Sequence, residues 1–444
     1  MKWALTASTS VVAALMLVGC GGGMSGNTVR ADYAKEVARA KTNGFDTLDN
    51  IAPRVSPGDN AAPLLANLQK TMDTNRQIKS DAKLLLSGQV NYASKEVGEA
   101  TRRLDSTFNT SRSIGARRVF RTELELDDPN AAQYPEIGLV RRLCRLFMAR
   151  ARVHISRKEY GPAIQDLSDS LKLCQVLRGQ PQILSIGVEV TVSELVLREF
   201  GDILEKLNRP QREKVITAIK DCLKDVPFWE AMRFEQAVNM QFRTLFLRDS
   251  SNGKAPAFIE QAAASLVAKS EEEVERLKPK GLNQVEWLDV LFSDLLRRWN
   301  KIAEATAGKR SDLDAIDKAI KDTNFDFGRA TGKNLVSIML FPVVRELIEA
   351  TKGGLARREL LLSMADILSY REAHGGAWPT ESQIKLPKDV YGTGPIKMKK
   401  LPEGLILYSV GPNGKDDDGW VGPTRDIVVS YPGTLREQRR RPAH

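Results

Sequence analysis

The chain has 444 residues, 42% of them hydrophobic and 27% charged, a composition that suits a globular protein and argues against a disordered one. Its length gives room for about two or three domains with substantial cores. Lys and Arg outnumber Asp and Glu by 66 to 56, and the resulting +10 favours anionic surfaces such as phospholipid headgroups or acidic envelope polymers.

The first nineteen residues have the layout of a secretory signal. Lys2 supplies the positive end, Val11 to Val18 is an almost unbroken apolar core, and small or apolar residues precede Cys20. That core is too short to cross a bilayer, which takes about 20 apolar residues. Leu17-Val18-Gly19-Cys20 resembles the lipobox of bacterial lipoproteins. The resemblance implies cleavage before Cys20 and a lipid on its sulfur; an ordinary secretory signal that leaves Cys20 in the mature chain is the alternative. Glycines 21–23, Ser25 and Gly26 then form a flexible tether. In a two-membrane cell, the family's sorting habit for Gly after the cysteine implies the outer membrane, with the protein facing the periplasm. Nucleic acid is a poor partner for an exported lipoprotein.

From Val29 to about Lys352 apolar residues recur at helical spacing. Residues 30–50 form a first amphipathic segment, broken by Pro53, Pro57 and Gly58, and a second carries Leu64, Leu65, Leu68 and Met72 on one side. Residues 90–120 are polar and Arg-rich, and Asp127, Asp128, Pro129 and Pro135 mark a linker. The densest helical block runs from Ile137 to Leu247, punctuated by Pro162, Pro181, Pro210 and Pro227 at positions suited to first turns, with Asn208 as an N-cap. Short connections predict antiparallel hairpins. Residues 141–157, the turn Lys158-Glu159-Tyr160-Gly161, and Tyr160, Ala163, Leu167 and Leu171 resemble one tetratricopeptide unit. A solenoid needs about three copies, so only repeat-like packing is expected. Loops are predicted at Asp249-Ser250-Ser251-Asn252-Gly253 and around Thr323 to Lys333. Val285, Leu288, Leu291, Leu295, Trp299 and Ile302 suit the buried side of a long helix between them.

At about residue 355 the pattern changes. A helix from Leu355 to about His374 ends at Gly375-Gly376, and short β-like runs follow at about 396–400, 404–410 and 426–431. The expected fold is mainly α: a multi-helix body of antiparallel, partly tetratricopeptide-like hairpins plus a small C-terminal α+β module with an antiparallel sheet. The divisions are a signal peptide (1–19), a tether (20–29), an N-terminal helical region (30–128), a helical body (129–352), the module (353–432) and a basic tail (433–444) expected to be disordered.

Three stretches of the module carry a resemblance. They are Ile367-Leu368-Ser369-Tyr370-Arg371-Glu372-Ala373-His374-Gly375 with Trp378-Pro379-Thr380, then Pro387-Lys388-Asp389-Val390-Tyr391-Gly392, then Tyr408-Ser409-Val410-Gly411-Pro412-Asn413-Gly414-Lys415-Asp416-Asp417-Asp418-Gly419. Together they resemble the globular part of the major pseudopilin of type II secretion systems, except that Val390 stands where a second proline is common. No prepilin cleavage site or long apolar helix is joined to this unit, so polymerisation as a pilin is not expected. The whole chain also resembles exported lipoproteins common in planctomycetes and related bacteria, a family with no established activity. Leu173-Cys174-Gln175-Val176-Leu177, Gln180-Pro181-Gln182-Ile183-Leu184 and Phe228-Trp229-Glu230-Ala231-Met232-Arg233-Phe234-Glu235 carry that likeness.

The acidic loop is the leading site candidate. Asn413, Asp416, Asp417 and Asp418 lie between two strands and Asp426 opens the next. Calcium takes about six to eight oxygen ligands, which a loop can supply from carboxylates and backbone. The pseudopilin resemblance implies calcium here, with Asp417 or Asp418 and Asp426 as ligands. The position that an EF-hand fills with glutamate is Thr424, and the alternative is a solvated turn. The second candidate is basic. Seven Lys and Arg and no acid lie between Arg141 and Lys158. Arg102, Arg103, Arg112, Arg117, Arg118 and Arg121 precede them, opposed only by Asp105. Such a face either lies on anionic headgroups or is solvated, with partners from other helices.

Signals for catalysis are poor, and no catalytic residue is assigned. His154, His374 and His444 are the only histidines, and no H-E-x-x-H, G-x-S-x-G or P-loop pattern occurs. Glu286 and Asp289 share a helix side as many surface carboxylates do. Trp229, Trp287 and Trp299 suit a core. Without Cys20 the cysteines are Cys144, Cys174 and Cys222, an odd number with no metal-ligand spacing. Export would permit a Cys144–Cys174 disulfide if their helices are neighbours. The functional expectation is a lipid-anchored protein with a structural or adaptor role, associated through resemblance with a secretion or pilus-like machine. An envelope hydrolase or carbohydrate-active protein, or a binder of a soluble ligand, are the alternatives.

Overall fold

Leucine-rich turns bounded by asparagine, serine and proline caps build a mainly helical protein. The computed structural model describes residues 26–45, 55–56, 58–88, 90–117, 119–121, 135–180, 182–249, 281–323, 333–422 and 424–439. The signal segment and Cys20 lie outside them, as do Arg118, Pro181, the linker at 127–129 and most of both predicted loops. In chain order the helices are α1 (Gly26–Thr42), α2 (Ala62–Thr74), α3 (Arg76–Leu86), α4 (Lys95–Arg103), α5 (Asp105–Gly115), α6 (Pro135–Ser156) and α7 (Tyr160–Gln175). They continue with α8 (Ile183–Ile203), α9 (Arg209–Lys220), α10 (Phe228–Asp249), α11 (Gln284–Ala305), α12 (Leu313–Asp322), α13 (Leu335–Ala373) and α14 (Thr434–Gln438). The strands are β1 (Lys397–Leu401), β2 (Gly404–Ser409) and β3 (Ile427–Tyr431). No described helix is long and apolar enough to cross a membrane.

The chain divides into two compact units. The first holds α1, α10, α11, α12 and α13 up to Glu346. Asn283 and Glu286 form a capping box that starts α11, which gives Glu286 a local structural task. The apolar stripe of α11 is buried as its spacing predicts, from Leu288 through Ile302. Polar groups fix how α1 lies on α11: buried Asn300 donates to the backbone oxygen of Glu36 at 3.0 Å and to its carboxylate at 2.9 Å. Trp229, Trp287 and Trp299 are core residues, Trp229 against Phe45 with ring centres 5.5 Å apart and Trp299 against Phe341 at 4.9 Å.

The second unit holds residues 55–122, 134–227 and 347–444. The tetratricopeptide-like pair forms as a hairpin: α6 and α7 are joined through Lys158, at φ +61°, and Ala163, Leu167 and Leu171 are buried. Arg150 of α6 reaches Asp166 of α7 with two hydrogen bonds, 2.9 and 2.6 Å, and its guanidinium lies 3.6 Å over the Phe108 ring. The Asn208 cap is present as a full capping box with Gln211, and Pro210 sits in the first turn of α9.

One difference from the sequence reading concerns α13. A helix expected to begin near Leu355 starts at Leu335 and runs through Pro342 and Gly353-Gly354 to Ala373. Gly354 marks close packing: a β-carbon there would meet the Leu223 side chain at 2.4 Å. From Leu347 onward the helix also lies against α8, where Gly187 and Gly201 face Leu347 and Leu361. The sheet has order β1-β2-β3, all antiparallel, with Leu407 opposite Met398 on one side and Val429 on the other. β2 is buried along its whole length, and Ile406, Tyr408 and Val428 share a core with Leu435 of α14. That contact corrects the expectation of disorder for residues 434–438: Leu435 anchors a short helix to the sheet.

Candidate functional site

Two of the three stretches that carry the pseudopilin resemblance meet around one buried carboxylate. Asp389, only 2% exposed, accepts from Ser409 Oγ at 2.6 Å, from Val410 N at 2.9 Å and from Tyr391 N at 3.0 Å. It ties the turn before β1 to the end of β2 and so sets where the acidic loop leaves the sheet. Gly411 follows at φ +66°, where a β-carbon would strike the backbone oxygen of Arg425 at 2.0 Å. The first stretch is fixed by stacking: the Arg371 guanidinium lies 4.4 Å from the Trp378 ring and 5.0 Å from Tyr431.

Within the loop each exposed carboxylate has its own cation. Lys397 Nζ is 2.5 Å from Asp416, Lys399 Nζ is 2.6 Å from both oxygens of Asp418, and Arg425 donates to Asp417 at 2.9 Å. Asn413 donates to the other oxygen of Asp417 at 2.8 Å and accepts from Lys415 N. Asp426 is buried and accepts from the backbone N–H groups of Asp417 at 3.3 Å and Gly419 at 2.6 Å. The pKa directions follow. The hydrogen bond from Lys397 holds Asp416 below the usual carboxylate range, and Lys399 does the same for Asp418. Burial pushes Asp426 upward, against the pull of its two N–H donors.

These residues fit a calcium ion poorly as they stand. Lys397, Lys399 and Arg425 occupy the charge that the ion would neutralise, and both Asp426 oxygens are spent on backbone. Among the described residues no group of three or more His, Cys, Asp or Glu is arranged to hold a metal. The calcium expectation therefore rests on the resemblance alone.

No family model, curated protein or solved structure matches this chain. The chemistry must be read from its own side chains.

The arginine-rich stretches divide by face. Arg103 pairs with Asp81 at 2.9 Å, Arg112 with Asp169 at 2.6 Å, Arg150 with Asp166, and Arg152 with Glu199 at 2.5 Å. The Arg117 guanidinium meets the backbone oxygen of Gly58. Burial holds Asp166 above its ordinary value despite its arginines. Arg141 and Arg145 are exposed and Arg142 half-buried on α6, and none of the three makes an ion pair among the described residues. His154 links Glu159, 2.6 Å from Nδ1, with Asp166, 3.7 Å from Nε2. His374 stacks on Tyr370 with ring centres 3.7 Å apart.

Cys144, Cys174 and Cys222 are buried free thiols. Cys144 Sγ faces the Ser170 backbone oxygen at 3.4 Å, and Cys174 Sγ lies 3.8 Å from Ser193 Oγ. Burial pushes the Cys144 thiol up to about 12 and the Cys222 thiol to about 11, which makes both inert at neutral pH. Sequence reasoning missed Asp389, Lys397 and Lys399 as partners of the loop. The available signal was alternation: Lys397 and Lys399 share one face of β1, and Asp416 and Asp418 repeat that spacing.

Proposed function

We propose that this chain is an exported lipoprotein, fastened to a bilayer through Cys20, with a structural or adaptor role at the membrane surface. The observation that carries this reading is Leu17-Val18-Gly19-Cys20 behind a short apolar core. Several acyl chains at about 0.8 kcal/mol per buried methylene would hold such a protein on a membrane durably. The outer membrane is the expected address in a two-membrane cell. Arg141, Arg142 and Arg145, without an ion pair among the described residues, support an anionic surface as one partner, each charge near headgroups adding roughly 1 kcal/mol.

The C-terminal module supports a docking role. It packs within the second unit: Gly433 N donates to Glu205 of the helical body at 2.9 Å, and Arg436 approaches Asp202. Two of its three resemblance stretches are joined by Asp389 and the first is held on Tyr431 of β3 by the Arg371 stack, and this arrangement supports a pseudopilin-like module and a partner in a secretion or pilus-like machine. Crosslinking the lipidated protein in its native membrane and identifying what co-purifies tests the role. Secretion or pilus components are the expected result. Their absence, together with turnover of a cell-wall polymer by the purified protein, would replace the adaptor with a hydrolase.

A further inference from the structure

Between the turn after α8, the first turn of α9, the last turns of α13 and the end of β3 lies an open groove of about 240 Å³. One water needs roughly 15 Å³, so the groove has room for a small organic molecule. Arg212, Arg371, Glu205 and Glu372 are its charged walls, and Leu368 and Tyr431 its apolar ones. Two of the four charges are matched to each other. Arg212, only 5% exposed, donates to Glu372, to the backbone oxygen of Leu207 and to Ser369 Oγ at 3.3 Å. The other two are not matched. Arg371 is held against Trp378 and Tyr431, and its Nε donates to the Gly376 backbone oxygen at 3.0 Å. Its two Nη atoms make no hydrogen bond or ion pair among the described residues. Glu205 accepts from Gly433 N at 2.9 Å through one oxygen, and no cation pairs with it among the described residues.

A positioned guanidinium and a positioned carboxylate thus line one groove without pairing to each other. We propose that the groove binds a zwitterionic α-amino acid with an apolar side chain, its carboxylate on the Arg371 Nη atoms and its ammonium on Glu205. The two Nη donors form a fork that matches the two oxygens of a carboxylate. The four charges of the groove sum to zero, so a simple anion or a simple cation would satisfy one of the two open groups and oppose the other. A neutral sugar would compensate neither. Leu368 and Tyr431 give the ligand's side chain an apolar contact.

Calorimetric titration and thermal unfolding of the full chain with leucine and phenylalanine test the site, alongside leucinamide, N-acetyl-leucine and glucose. The two free amino acids should bind saturably and raise the melting temperature by roughly 3 °C at a large excess over Kd. Leucinamide lacks the carboxylate and N-acetyl-leucine the ammonium, and each should bind at least tenfold more weakly than leucine. Glu205→Gln keeps an oxygen for Gly433 N and removes the charge. It should cost at least tenfold in affinity while leaving the melting temperature without ligand unchanged. Arg371→Gln should abolish binding, and Arg371→Lys, which keeps the charge without the fork, should fall between it and the unaltered chain. No binding of either amino acid, equally tight binding of glucose or of the two blocked forms, or an unchanged affinity in Glu205→Gln would overturn the site.

Discussion

The acidic loop and the arginine cluster between α8, α13 and α14 satisfy their charges in different ways. In the loop, four aspartates that crowd together in sequence are each satisfied in space: Asp416, Asp417 and Asp418 by Lys397, Arg425 and Lys399, and Asp426 by backbone N–H groups. Between α8, α13 and α14, three arginines far apart in sequence, Arg198, Arg357 and Arg436, lie near as many carboxylates, Glu194, Asp202 and Glu437, yet the Nε atoms of Arg198 and Arg357 are buried without a partner among the described residues. Local density of like charge is thus a poor guide to unmet demand. What marks a site is a polar atom that burial has separated from water and no neighbour has taken.

The largest expected effect concerns the anchor that holds the loop. Asp389→Ala strips the acceptor from Ser409, Val410 and Tyr391 together and should lower stability by about 3 kcal/mol in urea unfolding. A loss under about 1 kcal/mol would mean that the loop's exit is set by something else. Asp426→Ala should cost about 2 kcal/mol, since two backbone donors lose their partner.

The pH response separates these carboxylates by sign. Asp416 and Asp418 have folded values below their ordinary one, so their stabilisation is present above that ordinary value and disappears as pH falls through the lowered folded values. Asp426 is raised, so its ionised form is disfavoured in the fold and its contribution declines as pH climbs through the raised value. Carboxyl chemical shifts should show Asp426 titrating above both neighbours; the reverse order would break the account of the loop. The smallest effect is at the surface. Lys399→Ala should change stability by less than about 1 kcal/mol, because the pair with Asp418 is largely exposed.

The parts of the fold that were legible in sequence share a local cause. Strands 397–401, 404–409 and 427–431 fall within one or two residues of their expected places, because alternation and turn glycines are short-range signals. The α6–α7 hairpin and the Asn208 cap were readable for the same reason. The length of α13 was not: Gly353 and Gly354 look like a boundary until Leu223 is seen against the helix. The tail read as disordered because one leucine among arginines gives no periodicity, yet Leu435 has a sheet to sit on. At the candidate sites, the aspartates were visible and their partners were not. Asp389 became meaningful only when β2 ended beside it.

One measurement tests the account of the loop most directly: a crystal structure of the full chain grown with calcium. The account predicts Lys397 and Lys399 still paired to Asp416 and Asp418 and no cation among the aspartates. A cation held by Asp417, Asp418 and Asp426 with the lysines displaced would contradict it.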